Sequence, residues 1–217
     1  SLNAWHHFAI TRSTNSYNFW LDGTSASSTT NSNAPSTSGA TLYISRRASV
    51  NDQYFTGYIS NFRIVKGQAL YTATFTPSTT PLTVVSQSAV PGNVSLLTCQ
   101  DPSFVDNSGN RFAITPAGDA KTQNFSPFVR STTTPTSYSV YFDGTGDYIS
   151  VPYSAAISLS TGDFTIECWA YTNTGVWFTN YMSSGVGINI SGAVYYLSTD
   201  GSTWNVANGV SLSLIHI

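Results

Sequence analysis

The stretch Ala4-Trp5-His6-His7-Phe8-Ala9-Ile10-Thr11-Arg12, followed by Tyr17-Asn18-Phe19-Trp20-Leu21 and the pair Asp22-Gly23, decides the fold. Read with a period of two, the first run places His6, Phe8 and Ile10 on one face, and the second does the same for Tyr17, Phe19 and Leu21. Alternation of this kind belongs to extended chain with one buried face, and Asp-Gly is a turn signal. The pair reads as a β-hairpin, with His6 facing the core.

Outward from the hairpin the same signature recurs. Leu42-Tyr43-Ile44 and Tyr58 to Val65 are rich in aromatic and β-branched residues, which suit a pleated, half-buried surface. Further strands are predicted at Ser95–Thr98, Arg111–Thr115, Ser139–Phe142, Tyr148–Val151, Phe164–Tyr171, Val176–Tyr181, Gly187–Ile190 and Val194–Leu197, nearly all of them short and bounded by Gly, Asn, Asp, Pro or Ser. No helix longer than a turn or two is predicted. Many short strands with turn punctuation give an all-β, antiparallel sandwich of the jelly-roll type. Two stretches lack apolar periodicity: Thr24 to Ala40 reads as a long surface loop, and Thr83 to Asn93, with Pro91-Gly92, as a linker. Ser131 to Pro135 is a third break.

Composition narrows the setting. Of the 217 residues 41% are hydrophobic and 14% aromatic but only 8% are charged, against roughly 25% in ordinary globular chains. A surface solvated by Ser, Thr and Asn in place of ions points to an extracellular or virion protein, because intracellular surfaces lean on charge for solubility. A net charge of −2 with scattered Lys and Arg leaves no basic footprint for nucleic acid. No apolar run approaches the roughly 20 residues of a spanning helix, so membrane insertion is not expected. Cys99 and Cys168 each sit in an apolar run, as a small core residue would; buried free thiols are expected ahead of a disulfide.

Tyr141-Phe142-Asp143-Gly144-Thr145-Gly146-Asp147-Tyr148-Ile149, followed by Gly162-Asp163-Phe164-Thr165-Ile166-Glu167-Cys168-Trp169-Ala170, resembles the opening strands of LamG-like jelly-roll domains of the concanavalin A-like class. Leu2 to Arg12 with Phe19 to Gly23 resembles the central hairpin of that domain, and Gly57 to Ile64 its closing strand. Within such a domain the opening strands come first; here they follow the hairpin. The resemblance therefore implies that residues 1–82 are the back half of one copy and 94–211 the front half of the next, with 83–93 as linker. Residues 94–128 resemble the segment that begins each copy in tandem LamG-like proteins of tailed phages, and Lys66 to Pro77 the exit arm of the preceding copy. Trp204 to Val210 resembles the run just upstream of the hairpin. Since neither half can cover its own apolar face, the two are expected to pack as one circularly permuted sandwich. Leu212 to Ile217 is what one reading frame of a transposon-type library adapter would encode, and is expected to be an artefact of sequencing.

The resemblance implies a non-catalytic binding or structural module: a virion surface or tail-fibre repeat contacting glycans, a host receptor or other copies of the repeat. A secreted or cell-surface bacterial lectin-like module and a fragment of a glycoside hydrolase are the alternatives. Against catalysis, retaining hydrolysis needs two carboxylates about 5 Å apart, while the single glutamate, Glu167, has no acid at the two-residue spacings that would share its face. A solvated strand position is expected for it. His6 and His7 are adjacent, point to opposite sides and cannot chelate one metal.

Calcium is the candidate ion, because related domains hold one near the Phe-Asp-Gly motif with an acidic residue in the closing strand. Asp143 and Asp147 are the candidate ligands; the closing strand carries Ser60 and Asn61 where acidic residues commonly stand, and an Asp-Gly turn needs no ion. For glycan stacking the available rings are Trp20, Trp169, Trp177, Tyr181, Tyr195 and Trp204, with Trp177 and Tyr181 the pair to test first; in a sandwich most large aromatics are core.

Overall fold

In a computed structural model the described residues are 3–33, 35, 39, 41–46, 54–128, 137–172, 177–181, 187–191, 194–198 and 207–211, with backbone alone from 177 onward. The first hairpin forms where alternation placed it, as β1 (Trp5–Ser13) and β2 (Ser16–Leu21), and Asp22 and Gly23 both take positive φ in the turn that leads to β3 (Thr24–Thr30). The chain continues through β4 (Leu42–Ile44) and β5 (Thr56–Lys66). After 3-10 turns at Ser86–Ser88 and Pro91–Asn93 come β6 (Val94–Thr98), β7 (Thr115–Ala117), β8 (Lys121–Gln123), β9 (Ser139–Asp143) and β10 (Tyr148–Val151). The last strands are β11 (Phe164–Tyr171), β12 (Trp177–Tyr181), β13 (Gly187–Ser191), β14 (Val194–Ser198) and β15 (Ala207–Ser211).

These strands build two antiparallel sheets. One runs β3-β2-β1-β11-β5-β9-β8, with β6 also on β5; the other runs β15-β14-β13-β12-β4-β10-β7. Their inner faces close over one apolar core. Phe8, Ile10, Tyr17, Phe19, Ile59, Phe62, Ile64, Phe164 and Ile166 of the first sheet meet Leu42, Ile44, Ile149 and Val151 of the second, so the fold is the predicted β-sandwich. Cys99 and Cys168 are both buried free thiols, as expected, and burial pushes the Cys99 thiol up to about 12.

β5 changes face in mid-strand. Asn61, at φ 55°, forms a bulge opposite Cys168, so that Ile59 and then Phe62 and Ile64 all point inward. Arg63 is thereby turned to the outer face, directly opposite Glu167.

Several expectations need correction. Thr24–Thr30 is not loop but an edge strand paired with β2; its Ser/Thr/Ala run has no apolar alternation because it contributes backbone hydrogen bonds more than burial. Arg111 to Ile114 is irregular, and the strand there is the short β7. Residues 66–90 form a third layer on the outside of the first sheet. Val65, Leu82, Ala89, Val94 and Leu97 make one satellite cluster there, and Ala9, Trp20 and Tyr71 another. Covered on both sides, β1 is buried continuously from His7 to Arg12.

His6 shares the side of the sheet that carries Phe8, its ring meeting the Phe8 ring edge-on with centroids 6.5 Å apart, but it lies at the margin of the core. Its ring is partly exposed and its Nδ1 lies 2.7 Å from an Asp22 carboxylate oxygen at the sheet margin. His7 is the buried one, with 1% of its side chain exposed, and the two histidines do point to opposite sides. The stretches 131–135 and 212–217 lie outside the described residues.

Candidate functional site

Among the described residues two groups of ionisable side chains could carry chemistry, and both are set by topology. The first surrounds Glu167. Its side chain shares no face with Phe164, Ile166 or Cys168, as the alternation said, yet it is fully buried, because Tyr71 and the arm that carries it lie over that face. The expectation of a solvated position is overturned.

Arg63 donates from Nε (2.8 Å) and Nη2 (2.5 Å) to Glu167 Oε1. Tyr71 Oη donates to Oε2 at 2.7 Å, and His7 Nε2 lies 3.0 Å from the same oxygen. With the carboxylate ionised, Nε2 must carry the proton. Burial alone would raise the Glu167 carboxyl; the Arg63 charge and the His7 and Tyr71 hydrogen bonds outweigh it and hold the group down at about 2. Burial and the neighbouring carboxylate push the Tyr71 hydroxyl up in turn. Arg63 Nη1 donates onward to the carbonyls of Thr83 and Ser86. Both carboxylate oxygens of Glu167 are thus partnered, while the other ring nitrogen of His7, Nδ1, is buried without a partner; the network fastens the arm to the sheet.

The second group lies where the chain crosses twice between the sheets. Since β7 pairs with β10 and β8 with β9, the crossing at 118–120 lies beside the one at 144–147. Asp119, Asp143 and Asp147 each bring a carboxylate oxygen there, all within 4.8 Å of one another. Asp143 and Asp147 were anticipated; Asp119 was not, although Gly118-Asp119 repeats the Gly/Asp pairing of Asp143-Gly144 and Gly146-Asp147.

Asp147 has no exposed surface. Its Oδ1 accepts the Asp119 N–H at 2.8 Å and its Oδ2 the Asp143 N–H at 3.0 Å, so it ties the two crossings together. Desolvation raises its pKa; the two N–H bonds work against this, while a side-chain hydrogen bond with Asp119 and the nearby Asp143 add to it. Gly118 makes room for the carboxylate: at φ +67°, a Cβ there would lie 2.2 Å from Asp147 Oδ1.

Three converging carboxylates of hard oxygen, one buried beside like charges, fit a calcium ion. Asp119, Asp143 and Asp147 would hold it, and it would supply the missing positive charge. Ser60 and Asn61 lie elsewhere on β5 and are used internally: Ser60 Oγ donates to Tyr138 O, and Asn61 Oδ1 accepts the Leu82 N–H.

Residues 1–73 of the chain match the family model of the concanavalin A-like lectin/glucanases superfamily. No curated protein and no solved structure matches the chain. The superfamily is named for sugar-binding lectins and sugar-cleaving glucanases, so a carbohydrate-binding or structural module of LamG-like type fits the matched stretch. That stretch takes in β1 to β5 and the start of the arm, and with them His7, Arg63 and Tyr71; the three aspartates and Glu167 lie beyond it.

Of the candidate stacking rings, Trp20 is buried under the arm with Nε1 bonded to Thr11 Oγ1, which removes it as a platform. Trp177 and Tyr181 begin and end β12, which joins β4 to β13; their side chains lie outside the described residues. Among the described residues no helix is long and apolar enough to cross a membrane.

Proposed function

We propose that the chain is a non-catalytic module of a virion surface or tail fibre that contacts glycans or decorates the particle, and that it takes calcium at Asp119, Asp143 and Asp147. The observation that carries the non-catalytic reading is the state of Glu167. An acid in glycoside hydrolysis must reach a glycosidic oxygen and exchange a proton near working pH. The only glutamate of the chain is instead sealed under the arm, held down at about 2 and bonded to Arg63, Tyr71 and His7.

The aspartates support binding over hydrolysis for a geometric reason. A hydrolytic pair flanks a sugar from two sides, whereas these three carboxylates converge on one point and Asp147 already accepts two backbone N–H bonds. Calcium bound there would pin the two crossings. The low-charge surface, with 8% charged residues, supports a virion or extracellular setting.

A glycan array probed with the full chain, in calcium and in chelator, tests the reading. Binding to at least one glycan that weakens in chelator is expected, together with no release of reducing ends from soluble glucans. Binding to no glycan would reduce the role to decoration. Reducing ends released by the wild type but not by Asp143→Asn would overturn the non-catalytic reading.

A further inference from the structure

Neither half of the chain completes a sheet on its own. In the first sheet β11 lies between β1 and β5, and in the second β4 lies between β12 and β10. Without residues 94–211 the first segment keeps the β1-β2-β3 ladder, while β4 and β5 lose every strand they pair with. Without residues 1–82, β6 and β11 lose theirs.

Charge adds selectivity to this shape. Glu167 comes from the second segment, and the groups that satisfy it, Arg63, His7 and Tyr71, all come from the first. In the other direction Arg12 of the first segment, 2% exposed, donates to the carbonyls of Thr161 and Gly162 in the second. A carboxylate or guanidinium buried without these partners is costly, so a mismatched surface is rejected. The connection between the segments begins and ends at one place, since Leu82 and Val94 share a cluster with Val65 and Leu97. No strand runs through it, and Gly92 is exposed with open space beside it.

We infer that residues 1–82 and 94–211 are complementary half-domains whose interface forms between molecules as well as within one, so that the partner each surface fits is the opposite half of a second copy of this chain. The proposal is separate from any ligand or calcium site.

The full chain carrying a site-specific protease sequence at Gly92 provides the test. It is folded, cut, unfolded in denaturant and diluted beside uncut chain. The cut fragments are expected to stay together until denatured, and on dilution to re-form a 1:1 complex with the strand signature of the uncut chain and a midpoint that rises with concentration. Fragments that stay apart while uncut chain refolds would overturn the proposal. In cut chain carrying Arg63→Ala, re-association weaker by about 100-fold or more is expected; undiminished affinity would contradict the part given to charge.

Discussion

Glu167 and Asp147 are both carboxylates with no exposed surface, yet their pKa values move in opposite directions. Glu167 has a guanidinium against it. Asp147 has backbone N–H groups and, as side-chain company, two more carboxylates. Desolvation acts on both; at Glu167 the Arg63 charge with the His7 and Tyr71 hydrogen bonds outweighs it, and at Asp147 two backbone N–H bonds opposed by a neighbouring carboxylate do not. The fold therefore supplies the cation internally at one site, where it locks an arm to a sheet, and leaves the other site short of one.

The largest effect should come from removing that internal cation. Arg63→Ala strands Glu167 in a dry environment and is expected to cost about 3–5 kcal/mol, read from denaturant unfolding. A loss below about 1 kcal/mol would mean that the network is wetter than its burial implies. Next in size, saturating calcium should stabilise the wild type by about 2.7 kcal/mol at a hundred times its Kd. Tyr71→Phe removes one charged hydrogen bond while Arg63 and His7 remain, and should cost about 1.5 kcal/mol, with faster proteolysis of residues 66–90.

The most diagnostic effect is in pH. Glu167 has a folded pKa depressed from 4.5 to about 2, so its contribution is complete above 4.5 and disappears as pH falls toward about 2. Asp147 is raised above 3.8, so its contribution is present at low pH and is lost as pH rises through the raised value. Melting temperature followed across pH in chelator should show both limbs. Arg63→Ala should flatten the acid limb and Asp119→Asn the other; a single variant that flattens both would break the contrast.

The dry face of the sandwich was legible because alternation reports which residues share a side: Phe8, Ile10, Phe19, Phe164 and Ile166 all lie where a period of two puts them. What lies over the opposite side was not. Glu167 read as surface because the segment that covers it carries Leu70, Tyr71, Phe75 and Leu82 at no regular spacing, and a segment without period gives no sign of what it packs against. β3 was missed for a related reason, being an edge strand whose pairing lies in the backbone. Asp143 and Asp147 were singled out by the resemblance of their Phe-Asp-Gly motif; Asp119, 24 residues before Asp143, needed the pairing of β7 with β10 and of β8 with β9 to bring it beside them.

The contrast between the two buried carboxylates is tested most directly by the melting temperature of wild type and Asp119→Asn titrated with calcium, with magnesium as the comparison ion. The wild type should rise by roughly 5–10 °C at saturation, respond less to magnesium, and in chelator melt no higher than Asp119→Asn, which should ignore calcium. A wild type indifferent to calcium, or a variant that responds equally, would contradict the account.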